Sequence, residues 1–154
     1  MKHLLLFLVM GGITTTVFSQ NSTENSNHFN LNKGIAVQGY DPVSYFKSGR
    51  AEKGNSTISS NHNGATYYFT SQENKNQFLK NPTQYEPQYG GWCAFAMGDY
   101  GKKVEINPET FKIVDGKLYL FYNAYLNNTL KSWNKDEINL KTKADNNWAK
   151  IIKN

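Results

Sequence analysis

Polar and apolar positions alternate most clearly in two places, each broken by residues suited to a tight turn. Residues 57–61 and 65–70 flank His62-Asn63-Gly64, and residues 111–114 and 117–121 flank Asp115-Gly116. Asn-Gly and Asp-Gly tolerate positive φ at both central positions of a turn, so each segment is predicted to be a β-hairpin. Phe111 and Ile113 alternate with Lys112, which turns one face of the second hairpin inward. Between the hairpins, Thr70 followed by Glu73 fits a capping box for a helix that runs to Asn81, where Pro82 stops it. Phe78 and Leu79 are its only large apolar residues, so one edge is buried. A second helix is expected over Ala124 to Trp133. A third is expected over Asp136 to Ile152, with Ala144, Trp148, Ile151 and Ile152 at i, i+4, i+7 and i+8. The predicted class is α+β: a small domain of antiparallel β-hairpins with a short central helix and C-terminal helices.

The first 20 residues follow another pattern. Lys2 precedes the unbroken apolar run Leu4 to Met10, and small and polar residues continue to Ser19-Gln20. Residues 1–20 therefore read as a secretory signal peptide cut near Ser19 or Gln20. A membrane span needs about 20 apolar residues, and Gly11, Gly12 and Thr14 to Thr16 end this run too early. The expectation is an exported protein, periplasmic or secreted, without stable membrane insertion after cleavage. Residues 21–33 are polar and aperiodic and read as a flexible leader, and residues 34–154 read as one domain without internal repeats.

The chain carries a formal net charge of +5, spread over scattered lysines such as Lys141, Lys143, Lys150 and Lys153. No dense arginine patch or nucleic-acid motif accompanies it, so nucleic-acid binding is not expected. Asn21, Asn55 and Asn127 open Asn-x-Thr triplets, which are glycan acceptors only in a eukaryotic secretory pathway.

Two segments resemble the YHS domain family. One is Tyr40-Asp41-Pro42-Val43. The other runs from Tyr67-Tyr68-Phe69-Thr70 through the helix to Asn81-Pro82-Thr83-Gln84-Tyr85, with strand, cap, Asn-Pro stop and closing tyrosine in order. Gly39 to Phe46 and the glycine-rich segment around Cys93 further resemble a longer, exported branch of that family. The resemblance implies the fold. Shorter, metal-linked members carry cysteines where this chain has Ser44, Thr70 and Asn74, so it does not bring their thiolate set with it.

Cys93 is the only cysteine, in Tyr89-Gly90-Gly91-Trp92-Cys93-Ala94-Phe95-Ala96-Met97. Exported chains usually pair their cysteines, and a single one cannot pair within its own chain. After the signal segment only His28 and His62 remain as histidines, too few for closed four-ligand zinc. Copper(I) accepts thiolate and thioether at low coordination number, so Cys93, Met97 four residues on, and His62 at a hairpin tip form a candidate soft-metal site. In the competing reading Cys93 and Met97 are core filler and His62 is a turn residue. A Cys93–His62 nucleophile with Asp41 or Asp99 as orienter has no supporting spacing, and the motif around Cys93 lacks hydrolase neighbours. Redox cycling lacks a second cysteine, although an accessible thiol can form mixed disulfides. Asp41 and Glu52 have no acid–base spacing, and no phosphate-binding glycine loop is present.

Tyr85, Tyr89, Trp92, Phe95 and Tyr100 share a stretch with Gly90, Gly91, Gly98 and Gly101. Such rings are either core or the lining of a pocket. The sequence thus points to binding without catalysis. The first ligand is a soft metal such as copper; the expected partner is that metal ion or an unknown envelope protein. The alternative is a metal-free interaction or small-ligand module with Cys93 in the core.

Overall fold

The structure, a computed structural model, describes residues 25–153, so the signal segment lies outside the described residues. It is an α+β domain. β1 (Leu31–Asn32) pairs antiparallel with β2 (Ile35–Ala36), and α1 (Ser44–Lys47) follows. The first hairpin is β3 (Asn55–His62) and β4 (Ala65–Phe69), turning at Asn63 and Gly64 with φ of 50° and 79°. Ile35 of β2 lies parallel to Thr66 of β4, giving the strand order β1-β2-β4-β3. Part of the expected leader is therefore docked. Asn30 donates its backbone N–H to the Gly90 carbonyl at 2.8 Å, and the Trp92 indole donates to the His28 carbonyl at 2.7 Å. Phe29 and Leu31 also pack against the core, two apolar positions within a segment that is otherwise polar.

α2 (Gln72–Lys80) begins one residue later than expected. Ser71, not Thr70, is its cap and accepts the Asn74 N–H at 3.1 Å. Thr70 is drawn away by Asp41, a fully buried carboxylate that organises this corner. Its Oδ1 accepts the Val43 N–H at 2.8 Å. Its Oδ2 accepts the Thr70 N–H and hydroxyl, both at 2.8 Å, and the Asn74 amide at 2.7 Å. Pro82 ends α2 and also opens α3 (Pro82–Tyr85), where its missing N–H is no loss.

α4 (Ala94–Asp99) leads to the second hairpin, β5 (Asn107–Val114) and β6 (Lys117–Phe121). Leu118, Tyr119, Leu120 and Phe121 are each at most 1% exposed. Leu118 and Leu120 join a cluster with β4, Phe78 and Cys93, whereas Tyr119 and Phe121 join Met97, Trp133 and Ala144. The strand separates two core layers, so both its faces are covered rather than one.

The helix expected from Ala124 starts later. β7 (Asn123–Ala124) and β8 (Asn127–Asn128) form a small hairpin whose tip residues, Tyr125 and Leu126, have φ of 50° and 65°. The Asn128 side chain accepts the Leu130 N–H at 3.1 Å and so caps α5 (Thr129–Trp133). The last helix is α6 (Glu137–Ile151), close to expectation. α4 lies so near it that a Cβ on Gly98 would sit 2.5 Å from the Leu140 carbonyl oxygen. Among the described residues no helix is long and apolar enough to cross a membrane.

Candidate functional site

Of the turns that enter the left-handed region, where residues with a Cβ are disfavoured, two hold three successive residues there. One is Val37-Gln38-Gly39, with φ of 51°, 51° and 81°; the other is Tyr89-Gly90-Gly91, with φ of 56°, 60° and 85°. Val37 is β-branched and Tyr89 is bulky, so both turns are strained. Such strain persists only where the surroundings enforce it, and it concentrates at functional sites. Both turns border the same cleft.

That cleft has a volume of about 320 Å³. Phe29, Tyr67, Tyr89 and Trp148 supply aromatic walls, Leu31, Val37 and Ile152 supply aliphatic ones, and Gly90 lies between Phe29 and Trp148. A Cβ on Gly90 would stand 2.9 Å from each of those two rings, so glycine is what lets them approach. Two carboxylates also line the cleft, and each accepts a tyrosine hydroxyl. The Tyr89 hydroxyl donates to Asp145 Oδ1 at 2.9 Å, and the Tyr67 hydroxyl donates to Glu86 Oε1 at 3.2 Å. Burial, then the adjacent carboxylate, pushes both phenols well above the ordinary tyrosine range. They stay protonated and keep donating.

A second, polar hollow of about 380 Å³ lies beside Asp41, lined by Ser44, Lys47, Ser48, Glu52, Thr70, Ser71 and Asn74. Ser44, Thr70 and Asn74 are brought together there around Asp41. Ser44 donates to the Asp41 carbonyl at 2.8 Å, Lys47 pairs with Glu73 at 2.7 Å, and Ser48 donates to Glu52 at 2.7 Å. These groups engage one another. The arrangement fastens α1 to α2.

The residues proposed for a soft metal are not assembled into a donor set. Cys93 is 0% exposed; its sulfur accepts the Tyr122 N–H at 3.3 Å and lies 3.4 Å from the Thr129 hydroxyl. Met97 is equally buried but packs in the other core layer with Trp133 and Leu140. His62 is half-buried on the first hairpin, where its Nε2 lies 3.0 Å from the Asn63 amide and 3.8 Å from Glu86. Among the described residues, no group of three or more His, Cys, Asp or Glu is placed to share an ion. The full burial of Cys93 favours the reading of it as a core residue.

Of the aromatics singled out around Cys93, only Tyr89 lines the cleft. Tyr85 packs on Phe46 and Phe78, and Phe95 stacks edge-on with Tyr100. The sequence reading missed Phe29, Val37, Glu86, and the pair Asp145 and Trp148 on α6, which come from four separate segments. The doubled glycine after Tyr89 was the one local signal. In comparisons with family models, curated proteins and solved structures, nothing matches this chain.

Proposed function

We propose that this protein is an exported, non-enzymatic binding module of YHS type that holds a small ligand with an apolar body in the cleft between its left-handed turns at residues 37–39 and 89–91. One observation carries the reading. Backbone strain at Val37 and Tyr89 is maintained at the rim of a concave, aromatic-walled space, where a packing role alone would favour relaxed turns. The YHS part is supported by the Asp41-Pro42-Val43 turn, β4 and α2, the segments that carry the resemblance, which are tied into one unit through Asp41. Cys93 serves in the core, as its burial and bonded sulfur favour.

The test is a fragment screen on the isotope-labelled protein, read by backbone amide and indole signals. Aromatic and aliphatic fragments should shift Gly90 and the Trp148 indole together. Hits confined to the polar hollow at Lys47 and Ser48, or scattered over the surface, would overturn the proposal.

A further inference from the structure

The cleft combines two features that recognise the same chemistry. Its aromatic walls present π faces, which attract cations, most strongly when the cation is stripped of water. Its two lining carboxylates, Glu86 and Asp145, carry negative charge, and among the described residues no lysine or arginine lines it. This local balance is opposite in sign to the chain's net charge of +5. Each carboxylate already accepts one phenol hydroxyl through a single oxygen, Glu86 through Oε1 and Asp145 through Oδ1. A phenol supplies a donor without neutralising the charge, so the negative potential survives while the carboxylate is held in place. The His62 ring, 3.8 Å from Glu86 Oε1, stands outside the lining.

We infer that the cleft selects small organic cations: ligands with an apolar body against Phe29 and Trp148 and an ammonium group directed to Glu86 and Asp145. This rests on the cleft being the binding site and adds the charge of its ligand. A carboxylate-bearing ligand of the same shape would meet two like charges and be rejected.

The experiment compares three probes with one aromatic body: 3-phenylpropylamine, 3-phenylpropanol and 3-phenylpropionate. Each is titrated into the protein with the Gly90 amide and Trp148 indole followed by NMR. The amine is expected to bind at least about tenfold more tightly than the alcohol, and the acid more weakly than either. In the double variant Glu86→Gln, Asp145→Asn, which keeps an acceptor for each phenol, the amine's advantage should vanish while alcohol binding persists. Equal binding of amine and alcohol, or an amine advantage that survives in the double variant, overturns the inference but leaves the cleft as a binding site. If no probe moves Gly90 or Trp148, the cleft reading fails and the inference with it.

Discussion

Replacing Asp41 by alanine removes the acceptor for four hydrogen bonds at once, from Val43 N–H, Thr70 N–H, the Thr70 hydroxyl and the Asn74 amide, in a site with no solvent exposure. A hydrogen bond to a charged group contributes about 1.5–3 kcal/mol, and an orphaned buried donor costs about 1–3 kcal/mol. The four are not additive, because the Thr70 hydroxyl can rotate and the Asn74 amide retains Thr70 Oγ1 at 3.0 Å. The two backbone N–H groups have no such recourse. A net loss of about 3–5 kcal/mol follows, a large share of the roughly 5–15 kcal/mol that holds a domain together. For a domain of this size that lowers Tm by about 10–20 °C. Asp41→Asn keeps one acceptor but turns an amide toward at least one donor, and should lose about 1–3 kcal/mol. Urea unfolding followed by tryptophan fluorescence measures both, with the m-value checking that the transition stays cooperative. A loss below about 1 kcal/mol for Asp41→Ala would refute the view that this carboxylate joins the 41–44 turn to α2.

Burial first, then nearby charges, pushes Tyr45, Tyr67 and Tyr89 far above the ordinary phenol range and Tyr119 up to about 12. Their folded pKa values exceed the unfolded value, so the stability they contribute is complete below about pH 10 and is lost as pH rises from there through about 12 and beyond. Phenolate absorbance should show these four missing near pH 10.5 in the folded protein and appearing on denaturation; ordinary titration of all tyrosines contradicts this. Gly90→Ala combines left-handed strain with contacts of 2.9 Å to Phe29 and Trp148, and should cost about 2–4 kcal/mol and separate those rings. Gly98→Ala, 2.5 Å from the Leu140 carbonyl, should cost about 2–4 kcal/mol by forcing α4 from α6; a melting temperature like the parent's contradicts that packing. Cys93 should resist thiol reagents without denaturant, and copper(I) should show no stoichiometric binding that Cys93→Ser removes; rapid labelling contradicts its place in the core.

The hairpins and α6 were legible because their signals are local: turn residues at Asn63-Gly64 and Asp115-Gly116, and a period carried by Ala144 and Trp148. Errors arose where a distant group competed for a local one. Asp41 claims the Thr70 hydroxyl and moves the cap to Ser71, a contest between residues 29 positions apart. Asn128 caps α5 and cuts short a helix that composition alone would extend. The cleft was the least legible part, since Phe29, Val37, Glu86, Tyr89 and Trp148 share no spacing. Nor does the polar run of residues 21–33 reveal that its two apolar members, Phe29 and Leu31, pack on the core. Cys93 drew attention by being solitary, yet solitude does not distinguish a ligand from a buried residue.

The decisive measurement is a matched pair of ligand titrations, one on the parent protein and one on Ala149→Trp. Ala149 is exposed on α6 and lines the cleft, so an indole there occupies the space without entering the core. Saturable shifts at Gly90 and Trp148 should appear with 3-phenylpropylamine in the parent and disappear in the variant, whose melting temperature stays within a few degrees. Undiminished binding to the filled cleft would place the ligand elsewhere and contradict the assignment.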